Sequence, residues 1–411
     1  MHNHAILGLG GILVVVGALI AGHGHASPAA VLMASVISGV GYMLGAWALH
    51  KMERLTRACF AWLFAVSLAA RTTLLVSPPV LEDDLYRYLW DGAVLRAGES
   101  PYRFSPQEVM DRRLGRPVPQ GMGDEELASL ERLAALSRTL QLEPTFLRIN
   151  YPSVPTIYPP ISQGVFALAS FLALGSVRAW KLVVVGIDLA VIGLTWALLG
   201  FTGQPRKWIL LYAWSPLVLL SFAGSAHVDI LAVALLLIAV LLALRHQPTW
   251  AGAALGMATA AKIFPLLAWP ALRRRLGIKG TLVAIATVVG STLPFLGKGR
   301  VFDGLFAYAS TWTVNSAGFA LVSFALPESL ARATCGLLAL AVTFHAARLT
   351  HAPADVVRAA TAALAALVLL SPAVNPWYVA WLVPFLAVTR SPMLLALTVT
   401  VLSYHAHFLP G

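Results

Sequence analysis

An acidic cluster near residue 83 carries the residue types that proton transfer needs. Glu82, Asp83 and Asp84 follow a Pro-Pro pair and stand directly before an aromatic stretch. A carboxylate held beside a hydroxyl group can take its proton as a general base. The same acids could instead complement the positive end of a helix dipole. The cluster therefore indicates a general base, Asp84 or Asp83, with a purely structural role as the alternative.

The residues that follow the acids predict a short helix. No helix breaker lies between Val80 and Asp91, and Asp84, Arg87, Tyr88 and Asp91 follow the i, i+3, i+4, i+7 spacing of one helix face. We therefore expect the acid, the cation and the tyrosine to act together. A second face carries leucines suited to lying on a membrane interface, at Leu81, Leu85 and Leu89.

The helix belongs to a long segment, residues 77–160, that is too long for a tight turn. Structureless loops beyond about 15 residues are uncommon unless they are functional. Leucines at 127, 130, 133 and 136 predict a second amphipathic helix over 124–140. After Arg148, the prolines and aromatics of 150–160, including Tyr158, predict a rigid and extended stretch. The segment is thus predicted to carry function.

The composition of the whole chain is that of a membrane protein. Of its 411 residues, 58% are hydrophobic and only 11% are charged, and the mean hydropathy is +0.77. Soluble domains carry roughly 25% charged residues. In lipid the backbone must satisfy its own hydrogen bonds, so apolar segments of about 20 residues are read as helices. We predict an all-α polytopic membrane protein with about 11–13 transmembrane helices. The candidate segments are 5–22, 29–49, 58–76, 161–176, 180–200, 207–223, 228–244, 250–270, 279–297, 330–349, 355–371, 377–389 and 392–409.

The charges are distributed unevenly along the chain. The net charge is +11, yet residues 77–160 hold 12 of the 18 acids. The excess of bases therefore comes from short loops between spans, and no basic stripe or zinc-finger spacing indicates nucleic acid. The only cysteines, Cys59 and Cys335, form neither a disulfide framework nor a metal-site spacing.

Basic loops are expected to face the cytoplasm. Placing the loop around Lys51 and the cluster at Arg273 inside puts residues 77–160 and 299–328 outside. The predicted organisation is 1–76 as N-terminal transmembrane helices, 77–160 as an extracytoplasmic catalytic loop with juxtamembrane helices, and 161–411 as a transmembrane bundle with outer loop 299–328. The basic residues between 206 and 275 can all lie on the cytoplasmic side of the membrane if 250–270 is a broken or re-entrant hairpin and not a full span.

Charged and polar residues inside or beside the apolar segments are further candidates. Intramembrane charge costs about 2.5–3.5 kcal/mol on insertion scales, so Lys262 is either a phosphate ligand or the partner of a group such as Asp188. Arg71 is expected to extend towards the surface. His227 and Asp229 open a segment, where they could contact sugar or phosphate or cap a helix; as a zinc pair they are weak.

The same ambiguity holds near the end of the chain. Asn375 and Tyr378, with Trp377 between them, lie at a predicted outer helix junction. They could form a platform for a sugar or a lipid tail. Tryptophan and tyrosine are also common in interfacial belts, which is the plainer interpretation and applies equally to Trp312.

The motifs together resemble those of bacterial integral-membrane glycosyltransferases of the GT-C superfamily, most of all the polyprenol-phosphate-mannose-dependent mannosyltransferases. The matching stretches are DDLYRYLWDG at 83–92, SPY at 100–102 and PTIYPP at 155–160. They span about 80 residues of the chain. Two segments precede the helix that leads into the acidic loop, where many relatives have none or fewer.

The resemblance implies a function and a site. A hexose, with mannose favoured, would move from a polyprenyl-phosphate donor to an extracytoplasmic glycan or glycolipid acceptor. Asp84 or Asp83 would be the general base of a single inverting displacement. The chain would be a multi-pass protein of the bacterial cytoplasmic membrane with its active site outside. Residues expected to hold donor phosphate or sugar are Arg87, Tyr88, Arg148, Tyr158, His227, Asp229, Lys262, Asn375 and Tyr378.

Two other functions compete with this one. A transporter or flippase of a lipid-linked glycan is disfavoured, because no internal repeat is visible and a long acidic outer segment is unusual for one. A surface-glycan polymerase or ligase usually carries its large outer loop late in the chain, whereas here the loop is early. No Gly-rich phosphate loop or dinucleotide-binding unit indicates a nucleotide donor. A divalent cation at Asp83 and Asp84 is left open, since no complete ligand set is visible.

Overall fold

The computed structural model of the chain describes residues 2–23, 27–80, 83–117, 121–297 and 299–409. Within these ranges the protein is helical and has no strand, apart from a parallel bridge between Val314 and Ala373. The all-α prediction is therefore confirmed. The helices are α1 (His2–His23), α2 (Pro28–Lys51), α3 (Arg57–Val76), α4 (Asp84–Arg96), α5 (Pro106–Arg113), α6 (Asp124–Leu136), α7 (Glu143–Phe146), α8 (Pro160–Leu172), α9 (Val177–Phe201), α10 (Leu210–Ala213), α11 (Pro216–Val218), α12 (Asp229–Leu244), α13 (Pro248–Ala261), α14 (Trp269–Thr292), α15 (Asp303–Thr311), α16 (Ala317–Ala325), α17 (Glu328–Ala347), α18 (Pro353–Leu370), α19 (Pro376–Val379), α20 (Val383–Thr389) and α21 (Pro392–Thr400).

The chain is a multi-pass membrane protein. By length and composition, seven helices of the described residues could cross a membrane, or up to eight if the bent pair at 206–224 forms one span. These are His2–His23, Pro28–Lys51, Arg57–Val76, Val177–Phe201, Phe264–Phe295, Glu328–Ala347 and Pro353–Leu370. The prediction of 11–13 spans is higher, because several apolar segments form short or broken helices instead. The shorter apolar helices are Pro160–Leu172, Asp229–Leu244 and Pro376–Thr389.

Helix α4 carries the acidic motif and is packed inside the protein. It lies against α7, α8 and α9, and a Cβ atom on Gly92 would come within 2.3 Å of the Phe166 carbonyl oxygen on α8. Leu85 and Leu89 are 0% and 3% exposed. The expectation that this leucine face rests on the membrane interface is therefore wrong, because neighbouring helices cover it. Leu81 and Glu82 lie outside the described residues.

The second predicted amphipathic helix of the outer segment is confirmed as α6. Leu130 and Leu133 are buried. Glu99 ties this helix to the end of α4, because it accepts hydrogen bonds from Ser129 Oγ at 2.5 Å and Arg132 Nε at 2.6 Å. The stretch predicted to be extended, 150–160, is so only in part: residues 151–154 form a turn in which the Val154 amide donates to the Tyr151 carbonyl at 3.0 Å, and residues 155–159 have no helical structure.

The chain breaks at Lys262, as the sequence predicted for residues 250–270. Helix α13 ends at Ala261, and Lys262 itself has an extended backbone, with φ −155° and ψ 148°. A short 3₁₀ helix, Phe264–Ala268, then leads into α14. Because of this break, the Lys262 side chain is not packed along a continuous helix and lines a cavity instead.

The segment 299–314 contacts residues 102–155 and joins them to the C-terminal part. The Arg300 amide donates to the Tyr102 carbonyl at 2.9 Å, and its guanidinium contacts Glu108 at 2.6 Å. A Cβ atom on Gly304 would lie 2.4 Å from the Pro155 carbonyl oxygen. Further along, the Val314 amide donates to the Pro372 carbonyl at 2.9 Å. Residues 299–314 therefore bridge two regions that are distant in sequence.

A buried charged cluster lies within the bundle and corrects the expectation for Arg71. Its side chain does not reach the surface; it is 0% exposed and pairs with Asp188 at 2.7 Å. Arg71 also donates to Ser67 Oγ at 2.7 Å and to the Ala213 carbonyl at 2.9 Å. Asp188 accepts a further hydrogen bond from Tyr212 at 2.5 Å. Asp188 thus partners Arg71, which excludes the predicted pairing of Asp188 with Lys262.

Candidate active site

A cavity of about 200 Å³, open to solvent on one side, lies where α4 meets the break at Lys262 and the C-terminal segment. Its lining includes one acid, Asp84, and two cations, Arg87 and Lys262, among several aromatic side chains. The lining residues are Asp84, Arg87, Asn150, Tyr151, Val154, Pro155, Ile157, Tyr158, Lys262, Tyr308, Trp312, Val314, Asn375, Trp377, Tyr378 and Tyr404. Polar groups that converge in a cavity rich in aromatic side chains are typical of a ligand site.

Asp84 is the first residue of α4, and its side chain is 25% exposed to the cavity. Its Oδ1 accepts a hydrogen bond from Asn150 Nδ2 at 2.9 Å. Burial raises the pKa of Asp84, while the Asn150 hydrogen bond and the charge of Lys262 act in the opposite direction. A carboxylate with a raised pKa is a stronger proton acceptor than an ordinary surface aspartate.

Asp83 and Arg148, which the sequence also proposed, lie outside the cavity lining. Asp83 precedes α4 without a capping hydrogen bond from its side chain. Its carboxylate is 3.6 Å from Arg148, and the two side chains are 56% and 61% exposed. Arg148 lies over the Tyr86 ring at 4.1 Å. These neighbours form a solvated pair on the surface.

Arg87 faces the cavity from the next turn of α4 and is held on two sides. Its Nε donates to Asp91 at 3.0 Å, and both Nη atoms contact the Val154 carbonyl at 3.1 Å. Asp91 is held in turn by Thr156 at 2.5 Å. The guanidinium therefore fastens the extended stretch to α4 and keeps further N–H groups for a ligand.

Tyr88 and Tyr158 occupy different positions. The Tyr88 ring stacks on Phe166 with 4.8 Å between centroids and is 1% exposed, so it belongs to the packing behind the cavity. Tyr158 lines the cavity and packs edge-on against Tyr88 at 4.9 Å. The Tyr158 carbonyl accepts a hydrogen bond from Tyr102 at 2.7 Å, which fixes the extended stretch.

Lys262 is the second cation of the cavity, and Asp229 is its partner. The two carboxylate oxygens of Asp229 lie 2.7 and 2.8 Å from the ammonium nitrogen. Asp229 is fully buried and also accepts from Trp381 Nε1 at 2.8 Å. The ammonium lies 5.1 Å from the centroid of the Tyr378 ring. Since an ammonium has three donors, one remains for a ligand in the cavity.

His227 and Trp377 form the wall behind Asp84. Their rings stack at 3.8 Å with 16° between planes, and His227 Nδ1 is 3.9 Å from Asp84 Oδ2. Trp377 lines the cavity, whereas His227 lines only a smaller second cavity behind it. The described ranges contain no group of three or more His, Cys, Asp or Glu side chains placed to hold a metal ion.

The structure separates the predicted site residues into two sets. Those that line the cavity are Asp84, Arg87, Tyr158, Lys262, Asn375 and Tyr378, and those that do not are Asp83, Tyr88, Arg148, His227 and Asp229. Asn150 and Tyr308 also line the cavity, and Trp381 supports Asp229 behind it, but the sequence did not single them out. Tyr308 Oη lies 2.6 Å from Tyr378 Oη. No local pattern predicts such contacts, because the partners are far apart in sequence.

Comparison with known proteins identifies the family. The family model described as alpha-(1->6)-mannopyranosyltransferase, N-terminal domain, matches residues 7–121 and 152–276, and the MptB C-terminal domain matches residues 315–410. No curated protein and no solved structure matches the chain. The matched segments cover most of the chain and contain Asp84, Lys262 and Tyr378. The chain therefore belongs to the alpha-(1->6)-mannopyranosyltransferase family and is a membrane mannosyltransferase.

Proposed function

We propose that the protein transfers mannose from a polyprenyl-phosphate donor to a hydroxyl group of a glycan or glycolipid acceptor, with Asp84 as the general base. The observation that carries the proposal is the placement of Asp84 in the same cavity as Arg87 and Lys262. A base and two cations in one cavity are what a sugar phosphate and an attacking hydroxyl require.

The reaction is a single displacement at the anomeric carbon. The acceptor oxygen attacks the anomeric carbon from the face opposite the phosphate, and its proton passes to Asp84. The bond between the anomeric carbon and the phosphate oxygen breaks, and its electron pair stays on the phosphate. The configuration at the anomeric carbon inverts, so an α linkage requires a β-linked donor. One carboxylate suffices, unlike the paired carboxylates of glycoside hydrolases. The (1->6) linkage in the family description corresponds to attack by a primary hydroxyl.

The leaving phosphate gains negative charge, which Arg87 and Lys262 stabilise. Each cation is held by a neighbouring acid, Asp91 or Asp229, and keeps at least one N–H group that has no acceptor among the described residues. Fixed cations at the point where charge develops lower the barrier without reorganising during the reaction. Tyr158, Tyr378 and Asn375 line the space in which the sugar would lie.

The isoprenoid tail of the donor lies in the bilayer, and the acceptor reaches the cavity from the extracytoplasmic side of the cytoplasmic membrane. The basic loop around Lys51 and the cluster at Arg273 support this orientation, because basic loops face the cytoplasm. The acid-rich segment that carries Asp84 then faces the outside. Tyr88, Arg148 and Asp83 act through packing and surface charge, and none of them contacts the donor.

The test is to supply purified protein with polyprenyl-phosphate mannose, polyprenyl-phosphate glucose and a nucleotide-activated mannose, each with a mannoside acceptor. We expect release of free polyprenyl phosphate and an α-linked product from the mannosyl lipid alone. Asp84→Asn protein serves as the matched control and should release nothing above background. Transfer from the nucleotide sugar, or a product that retains the donor's anomeric configuration, would contradict the proposal.

A further inference from the structure

His227 lies close to the proposed base, but the cavity wall separates it from the substrate. Its side chain is 1% exposed, and its ring stacks on Trp377. Trp377 lines both the main cavity and the second cavity, of only about 20 Å³, to which His227 and His405 belong. A sugar in the main cavity therefore meets Trp377 and not the imidazole. The role first expected for His227, direct contact with donor sugar or phosphate, does not fit this position.

Both ring nitrogens of His227 lack a hydrogen-bond partner within the described part of the chain. Buried polar groups nearly always have a partner, so two such atoms on one side chain require an explanation. Nδ1 lies 3.9 Å from Asp84 Oδ2. The other carboxylate oxygen, Oδ1, is already bound by Asn150. Among the described residues no donor binds Oδ2, and His227 Nδ1 lies 3.9 Å from it.

The imidazole is neutral, so the contact with Asp84 is not an ion pair. Burial, and then the positive charge of Lys262, lower the pKa of His227 well below its usual value. A neutral imidazole has one N–H donor and one acceptor nitrogen. The stacked Trp377 ring keeps the imidazole in its plane. The other charged or titratable groups that act on Asp84 or line the second cavity are Asp83, Asp229, Lys262, Tyr88, Tyr158, Tyr308 and His405.

We propose that His227 is a positioning residue that donates its Nδ1–H to Oδ2 of Asp84 when substrates fill the cavity. The inference rests on the proposed role of Asp84 as the base. Hydrogen bonds of catalytic groups are often long without substrate and shorten in the complex. With Asn150 on one oxygen and His227 on the other, the carboxylate has a fixed orientation towards the acceptor hydroxyl. His227 keeps its own proton throughout the reaction.

The second hydrogen bond also sets the protonation of the base. A donor to the carboxylate stabilises the charged form and so lowers the pKa of Asp84, against the effect of burial. Asp84 must be ionised to accept a proton, so transfer is lost as the pH falls through this pKa. Removal of the His227 donor should therefore move the acid limb of the pH profile to higher pH.

The experiment compares three variants of the full-length protein in the transfer assay. His227→Phe keeps a ring against Trp377 and removes both nitrogens. His227→Asn places an N–H group near the position of Nδ1. His405→Phe is the matched control, since this second buried histidine lines the same small cavity. Folding is checked for each variant by yield and thermal stability in detergent.

We expect His227→Phe to lower kcat by roughly tenfold to a hundredfold and to move the acid limb upward by about one pH unit, with the donor KM unchanged. His227→Asn should recover most of the loss, and His405→Phe should behave as the wild-type protein does. A wild-type profile for His227→Phe would overturn the inference. So would a loss confined to the donor KM, because that result would identify a substrate contact.

A second measurement is independent of transfer activity. Infrared titration of the protonated carboxyl band, assigned to Asp84 by its loss in Asp84→Asn, reports the pKa of this group directly in purified protein whose cavity is filled with free polyprenyl phosphate and the mannoside acceptor. We expect the band to titrate at higher pH in His227→Phe than in the wild type, and near the wild-type value in His227→Asn. An unchanged titration would overturn the inference even if the protein were a mannosyltransferase. Failure of the donor assay with a shifted titration would instead count against the proposed function.

Discussion

Two ion pairs, Arg71–Asp188 and Lys262–Asp229, both come from apolar stretches of the sequence but differ in their surroundings. Arg71 and Asp188 are both 0% exposed. In the second pair Asp229 is fully buried, but the Lys262 side chain is 19% exposed and lines the cavity. Charges in apolar segments are costly in both places. The comparison teaches that burial of a charge does not by itself indicate function. A cation indicates function when it lines a cavity and keeps an N–H group that the ion pair does not use.

The two pairs are also held differently. The Arg71 guanidinium binds Asp188, Ser67 and the Ala213 carbonyl, so it joins α3, α9 and α10. Lys262 stands at a break in the chain beside aromatic rings and binds Asp229 alone among the acids. We call the first the closed pair and the second the open pair. The closed pair should determine stability, and the open pair, together with Asp84, should determine transfer.

The sharpest test of this division is Asp84→Asn. Loss of a general base lowers kcat by about 10²–10⁴-fold. The Asn150 contact can persist with an amide, so the thermal stability should stay near that of the wild type. Transfer rates and melting curves of the same preparation check both expectations. Full activity in this variant would remove Asp84 from the mechanism.

The closed pair should give the opposite result. In Asp188→Ala, Arg71 loses its acid inside the bundle, and breaking such a pair costs about 3–5 kcal/mol. We expect a lower yield and a lower unfolding temperature in detergent, while kcat per folded molecule changes little. A strong loss of kcat in stable protein would show that the closed pair belongs to the reaction.

The open pair predicts a binding effect. Lys262→Met removes an ammonium from the cavity, and a hydrogen bond to a charged group is worth about 1.5–3 kcal/mol. The donor KM should therefore rise by roughly tenfold to a hundredfold. Lys262→Arg, which keeps the charge, is the matched control and should recover part of the affinity. An unchanged donor KM in Lys262→Met would place the phosphate elsewhere.

The smallest effect is expected next to the base. Asp83 is 56% exposed and pairs loosely with the exposed Arg148. Surface pairs of this kind contribute little, so Asp83→Asn should keep transfer within about twofold of the wild type. Side-by-side assays of the two asparagine variants check this. If Asp83→Asn lost as much transfer activity as Asp84→Asn, the assignment of Asp84 alone as the general base would be wrong.

The sequence predicted those features that depend on local pattern. The shared face of Asp84 and Arg87 follows from helical spacing, and the break at Lys262 follows from the prolines and from the distribution of basic loops. Both are present in the structure. The general position of the cavity was also predictable, since the acidic helix and the proline-rich stretch flank the same long segment.

Features that depend on distant packing could not be predicted in this way. Spacing alone does not reveal that Leu85 and Leu89 are buried inside the protein, because a leucine face suits protein and lipid equally. The sequence offered Asp188 as one candidate partner of Lys262, whereas Asp229 fills that role. Both acids lie in apolar surroundings, and only the fold decides which one approaches the lysine.

The segment 299–314, which bridges two distant regions of the chain, constrains how the sequence of such a protein can evolve. The cavity wall is assembled from both family-matched parts and from residues between them, such as Asn150 and Trp312. Residues 299–314 connect these parts through Tyr102, Pro155 and Pro372. A chimera that took its C-terminal part from a relative would carry a mismatched wall unless this connector came with it. The two matched segments are therefore not interchangeable modules, and the connector must vary in step with both.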